Sequence, residues 1–156
     1  MRTTLVFAIL LFVMSSCNKD KEGKFNLDAG IEIYVQDKSG NDLLNPSIQN
    51  AYKESEIKIY YLIDGVKKEV YYPNYDYPRN FRIIEAGSKY YMMLSPNGND
   101  SEEYPTTYIQ WNESDTDTIK CEFSRTSNSI ICTKIWYNGA SVWNDYSDGR
   151  IIQIVK

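Results

Sequence analysis

The stretch "EIKIYYLIDGVKKEVYY", residues 56–72, carries the clearest structural instruction in the chain. Apolar and polar residues alternate on both sides of Asp64-Gly65, and an Asp-Gly pair between two such runs signals a β-hairpin closed by a type I′ turn. The turn sets the register. Counting away from it, Ile63 faces Val66, Ile59 faces Val70 and Ile57 faces Tyr72 on one side, while Lys58, Tyr60, Lys67 and Glu69 lie on the other. One face is written for a core and one for water, as in half of a sandwich.

The same pattern extends in both directions. Segment 30–36 alternates Ile31, Ile33 and Val35 with Glu32, Tyr34 and Gln36, then ends in the turn-rich 37–42. Further strands are expected at 80–85, 89–95, 106–112, 116–125, 129–137 and 150–155. Segment 45–56 has no clean period, and Pro46 suits the start of a single helical turn. Short strands at regular spacing, rich in Tyr, Ile, Val and Thr and separated by Gly, Asn, Asp, Ser and Pro, predict an all-β fold. The expected architecture is a two-layer antiparallel β-sandwich, immunoglobulin-like or transthyretin-like, preceded by a cleaved signal peptide.

That signal peptide is read from residues 5–24, "LVFAILLFVMSSCNKDKEGK". The uninterrupted apolar run covers 5–14, about 15 Å as a helix, half of a ~30 Å hydrocarbon core. With Arg2 before it and Ser15 and Ser16 after it, the run has the three-part form of an export signal. Val13-Met14-Ser15-Ser16-Cys17 resembles the lipobox of bacterial lipoproteins, with Met14 in place of the usual leucine. In that family the cysteine thiol takes a diacylglyceryl group, the chain is cut just before it, and the new amine is often acylated. The resemblance therefore implies a signal peptide over 1–16, lipid attachment at Cys17, a flexible tether over 17–28 and one domain over 29–156. Two or three acyl chains, at about 0.8 kcal/mol per buried methylene, would anchor the protein firmly to a membrane. Asn18, where an aspartate would retain such proteins in the inner membrane, implies the outer membrane. The charged Lys19-Asp20-Lys21-Glu22 resembles the surface-export segment of Bacteroidetes lipoproteins, implying surface display rather than periplasmic exposure. In overall texture the chain is similar to small lipoproteins of that phylum.

Composition narrows the chemistry. Removing 1–16 takes out Arg2, which lowers the basic count from 17 to 16 against 21 acidic residues, so the mature net charge is −5. That balance argues against nucleic acid as a partner. There is no histidine, which excludes Ser-His-Asp and Cys-His catalysis and histidine-based metal sites. The acidic turn 37–42 starts like an EF-hand loop, yet Asp42 stands where glycine is required and Ile48 where glutamate is required. No carboxylate pair has a spacing that supports acid and nucleophile roles. The expectation is a non-enzyme without cofactor or metal.

Two groups of residues remain as candidates for a role. Cys121 and Cys132 fall on consecutive strands, directly opposite if the turn is at 126–127 and diagonal if it is at 127–128. They form either a disulfide, favoured by the exported compartment, or two buried thiols acting as small hydrophobes. Residues 71–80, "YYPNYDYPRN", concentrate aromatics, amide and guanidinium between stiffening prolines. Tyr71, Tyr72, Asn74, Tyr75 and Tyr77 are thus candidate contacts for a glycan or a protein, with capping of the core as the other reading. Trp136 and Trp143 belong to a second aromatic-amide group that serves either a ligand or the core. The functional expectation is a lipid-anchored binding module. The rival is an accessory subunit of a cell-surface or fimbria-like assembly, joined through the edge strand at 150–155.

Overall fold

The computed structural model describes residues 24–144 and 149–156. The expected signal peptide, Cys17 and the expected tether up to residue 23 lie outside the described residues. Eleven strands and no helix are found among the described residues: β1 (Asn26–Asp28), β2 (Ile31–Gln36), β3 (Lys58–Ile63), β4 (Val66–Glu69), β5 (Phe81–Ala86), β6 (Lys89–Leu94), β7 (Thr106–Gln110), β8 (Thr116–Thr126), β9 (Ser129–Tyr137), β10 (Ala140–Trp143) and β11 (Ile151–Val155). The 45–56 segment is a succession of tight turns instead of a helical turn. Ile48 donates to the Asn45 carbonyl, Ala51 to that of Ile48 and Glu56 to that of Lys53.

The hairpin has the expected register, with Ile63 opposite Val66 and Tyr60 opposite Glu69. Asp64 and Gly65 both take positive φ, 53° and 74°, as a type I′ turn requires. The last bond of this ladder runs from Val70 N to the Ile59 carbonyl, 2.9 Å. Tyr72 does not reach Ile57. Its N–H turns to the Pro78 carbonyl at 2.8 Å and the chain leaves the sheet, so Tyr72 is exposed rather than on the inner face.

Two sheets form. The larger runs β1-β9-β8-β7-β3-β4, with β10 also paired to β9, and the smaller runs β11-β2-β6-β5. Both are mixed, not purely antiparallel, because β1 lies parallel to β9 and β11 parallel to β2. Each of these strands reaches its neighbour through a long connection, which a parallel pair needs and a hairpin cannot supply. β1 also corrects the reading of residues 17–28 as tether throughout, since Asn26 to Asp28 pair with Ser129 to Ile131. β10 follows a second turn, Asn138-Gly139, with both φ positive.

The core lies between the sheets. Ile31, Ile33, Met92, Leu94, Ile152 and Ile154 from the smaller sheet meet Ile57, Ile59, Ile109, Ile119 and Ile135 from the larger. Cys121 and Cys132 are buried among them as free thiols, the second of the two readings that the sequence leaves open, and not as a disulfide. Thr126 pairs with Ser129, so the turn falls at 127–128, and a bulge at Glu122/Phe123 sets Cys121 opposite Ile135. The cysteines are therefore diagonal. The hydrogen bond it donates to Cys132, together with burial, pushes the Cys121 thiol well above its ordinary range.

One polar cluster bridges the layers at an end of the core. Lys156, directly after β11, places Nζ 2.8 Å from Asp115 Oδ1 and 2.6 Å from Asp117 Oδ2. Asp117 also accepts from Trp111 Nε1 at 2.6 Å and Asn138 Nδ2 at 2.9 Å, and Tyr52 donates to Asp115 at 2.5 Å. Tyr52 stacks on the fully buried Trp111 at 5.2 Å. Burial alone would raise the Asp117 carboxyl. The donors Lys156, Asn138 and Trp111 outweigh it and hold the group below the ordinary value of 3.8.

Two outcomes follow for stability. Gly65→Ala forces a Cβ onto a positive-φ position with open space around it, so the cost is backbone strain of about 1–2 kcal/mol, read as a lower melting temperature. A carboxyl whose folded pKa is depressed contributes stability above its unfolded pKa and loses it as pH falls through the folded value. Resistance to thermal unfolding is therefore expected to fall below pH 3.8, and Asp117→Asn to remove about 2–3 kcal/mol at neutral pH while flattening that acid limb.

Candidate functional site

Residues 71–80 form a loop held rigidly at its base. Besides the Tyr72–Pro78 bond, Tyr75 N donates to the Tyr72 carbonyl at 3.0 Å and Asn80 N to that of Tyr77 at 2.9 Å. Arg79 reaches back across the hairpin, its Nη1 donating to the carbonyls of Ser55 (3.0 Å) and Ile57 (3.2 Å). Asn80 sits at φ 56° and donates through Nδ2 to the Tyr61 hydroxyl, which in turn donates to the Ser95 carbonyl, both at 2.8 Å. Burial pushes the Tyr61 hydroxyl up to about 12, so it stays a donor.

On this base the tyrosine rings stand in solvent: Tyr71 is 58% exposed, Tyr72 43%, Tyr75 62% and Tyr77 45%. Tyr72 and Tyr75 stack at 5.0 Å. Tyr77 is oriented from the sheet, because Arg82 of β5 lies over its ring at 4.8 Å and donates to its hydroxyl at 2.6 Å. Between loop and sheet runs a cleft of about 630 Å³, lined by Asn74, Tyr75, Asp76, Tyr77, Arg82 and Met93 among others. On the other side of the loop a broader groove of about 1280 Å³ separates Tyr71 and Pro78 from Leu44, Pro46, Ile48 and Tyr52. The loop is a ridge between two depressions.

The sequence candidates divide accordingly. Asn74, Tyr75 and Tyr77 meet at the cleft, Tyr72 braces Tyr75, and Tyr71 belongs to the far groove. The tryptophans do not join them. Trp143 is buried in the core, and Trp136 lies on the larger sheet, edge-on to Tyr104 at 5.3 Å with the Lys134 ammonium 4.8 Å from its ring centre. Core packing and sheet cover are their roles. Arg82 and Met93 were not singled out from the sequence. Alternation along β5 and β6, with Phe81 and Met92 inward, already places both on the outer face.

In the acidic turns, Asp37, Asp42, Asp115 and Asp117 are engaged internally. Asp37 accepts from Ser39 N, Asn41 N and Asn41 Nδ2, which lowers its pKa, and Asp42 accepts from Leu44 N and Tyr90 N. Asn112 caps its own turn through Ser114 and Asp115, and the Lys156 ammonium occupies the place a cation would take between Asp115 and Asp117. Among the described residues no group of three or more metal-ligating side chains converges. The chain matches no protein-family model, no curated protein and no solved structure.

Arg79 is expected to be what keeps the ridge in place. Arg79→Ala leaves the Ser55 and Ile57 carbonyls without their charged donor, at a cost of about 2 kcal/mol, and limited proteolysis is expected to nick the 71–80 loop in the variant before the wild type.

Proposed function

We propose that the protein is a non-catalytic binding module, exported, lipid-anchored at Cys17 to the outer membrane and displayed at the cell surface, that recognises a glycan or protein through residues 71–80. The observation that carries this reading is the joint exposure of four tyrosines on a loop whose base is pinned to the core. Large apolar rings held rigidly in water lose little entropy on contact and supply both stacking area and a hydroxyl. Asn74, Asp76 and Arg82 beside them offer oriented hydrogen bonds to a ligand in the cleft.

The rival reading, an assembly subunit exchanging or pairing its last strand, finds β11 at the edge of its sheet with Ile151 and Val155 exposed. However, β11 also buries Ile152 and Ile154 and leads into the Lys156 cluster, so it is part of this domain's own core. The tyrosine ridge has no such structural duty.

The full chain in mild detergent, passed over immobilised polysaccharides and envelope protein fractions, is expected to be retained by one of them. Tyr75→Ala combined with Tyr77→Ala should abolish that retention with the melting temperature nearly unchanged. Full retention by a folded double variant would show that the loop is not the contact surface.

A further inference from the structure

The two sheets differ on their outer faces, and the difference has a direction. The larger sheet shows water Lys58, Lys120, Glu122 and Lys134, and its outward rings lie under ammonium groups, Tyr60 and Tyr108 under Lys67 and Trp136 under Lys134. On the smaller sheet the outward rings pack on one another instead. Its register aligns Arg82, Met93, Glu32 and Ile151 in one row across the strands. In the next row Ile84 pairs with Tyr91, Tyr34 pairs with Gln153, and the Tyr34 and Tyr91 rings meet at 5.4 Å. An open sheet face this rich in apolar and aromatic groups is a surface that meets something.

Its two ends are hollowed. At the β5 side lies the cleft of Tyr75 and Tyr77, which Arg82 and Met93 share with the first row. At the β11 side a second depression of about 480 Å³ is lined by Tyr34, Gln36, Lys89, Ile151 and Gln153 among others. Tyr34 and Tyr91 lie between them. With strands ~4.8 Å apart, the face is about 14 Å wide from β5 to β11.

The geometry points to an uncharged oligosaccharide of several linked rings, laid across this face from the tyrosine cleft to the Gln153 depression. A pyranose ring offers an apolar C–H face to an aromatic ring and a rim of hydroxyls that both donate and accept. The track supplies the same alternation, with Tyr77, Met93, Tyr91 and Tyr34 as contact area and Asn74, Arg82, Glu32 and Gln153 as partners of both kinds. Its charges nearly balance, Arg82 and Lys89 against Glu32, Asp42 and Asp76, and the surplus is negative, so no field selects an anionic polymer. The track is open at both ends, which suits a chain better than a single ring. This inference rests on the tyrosine ridge being a binding surface and adds the ligand class and the remainder of the site.

The test is affinity gel electrophoresis of the full chain in detergent, in gels cast with a soluble β-1,3-glucan, starch, a galactomannan or an arabinoxylan, with polygalacturonate as the anionic comparison. Retardation by at least one neutral polysaccharide is expected, with affinity for its fragments rising from di- to hexasaccharide. Tyr34→Ala with Tyr91→Ala should weaken it roughly tenfold or more, the scale of lost aromatic contact. Gln153→Ala with Lys89→Ala, both at exposed positions, should weaken it without touching the fold. Retardation that the Tyr75/Tyr77 variant abolishes but both face variants retain overturns the track and leaves the ridge as a binding surface. Retardation by polygalacturonate alone, or by none of the gels, overturns the saccharide class. Retention of an envelope protein by the same ridge would then assign it a protein ligand.

Discussion

The sandwich closes on one partly buried ionic cluster whose centre, Asp117, is almost fully enclosed. Lys156 comes from the strand at the edge of the smaller sheet, Asp115 and Asp117 from the β7–β8 corner of the larger, Tyr52 from the long turn segment and Asn138 from the β9–β10 turn. Four separate parts of the chain reach satisfied hydrogen bonds only when both sheets are in place. A buried charge left alone is costly, whereas one with every oxygen engaged is tolerated. The cluster therefore specifies how the two layers meet more than it adds to the hydrophobic term, which the isoleucine-rich interior supplies.

With the layers set, the exterior divides. The larger sheet lays lysines over its outward rings, and its edge strand β4 is short and carries Lys67 and Lys68, features that blunt edge-to-edge pairing. The smaller sheet leaves aromatic and apolar groups outward and borrows the 71–80 loop as a wall along β5. That wall is built from the core upward: Tyr61 is buried, its hydroxyl links Asn80 to Ser95, and Arg79 ties the loop to the hairpin backbone. The exposed tyrosines are rigid because buried groups beneath them are satisfied.

Several elements were legible in the sequence because they rest on local chemistry. Asp64-Gly65 imposed the hairpin register, and alternation in β2 marked which side chains face inward. Asn138-Gly139 carries the same turn signal, but the strand after it is four residues long with three exposed, too short for a periodic pattern to show. β1 was missed for a different cause: three exposed residues, Asn26 to Asp28, have no apolar pattern and become a strand only through pairing with β9. The parallel pairs escaped notice for the same reason, since nothing local in a strand records the direction of its neighbour.

The candidate site shows the same boundary. That residues 71–80 form a stiff, tyrosine-bearing loop follows from Pro73, Pro78 and composition, because turn chemistry and ring size are properties of the residues themselves. That the loop faces Arg82 and Met93, that Tyr71 turns to the opposite groove, and that the tryptophans go elsewhere depend on strand order, which places residues far apart in sequence side by side. The cysteines make the point in one residue. Their strands were readable, but a bulge at Glu122/Phe123, set by packing across the sheet, moved Cys121 opposite Ile135. Local sequence writes strands, turns and faces because those arise from short-range sterics and periodicity. Which faces meet, and what is left open to a ligand, arises from contacts between distant segments that no local pattern encodes.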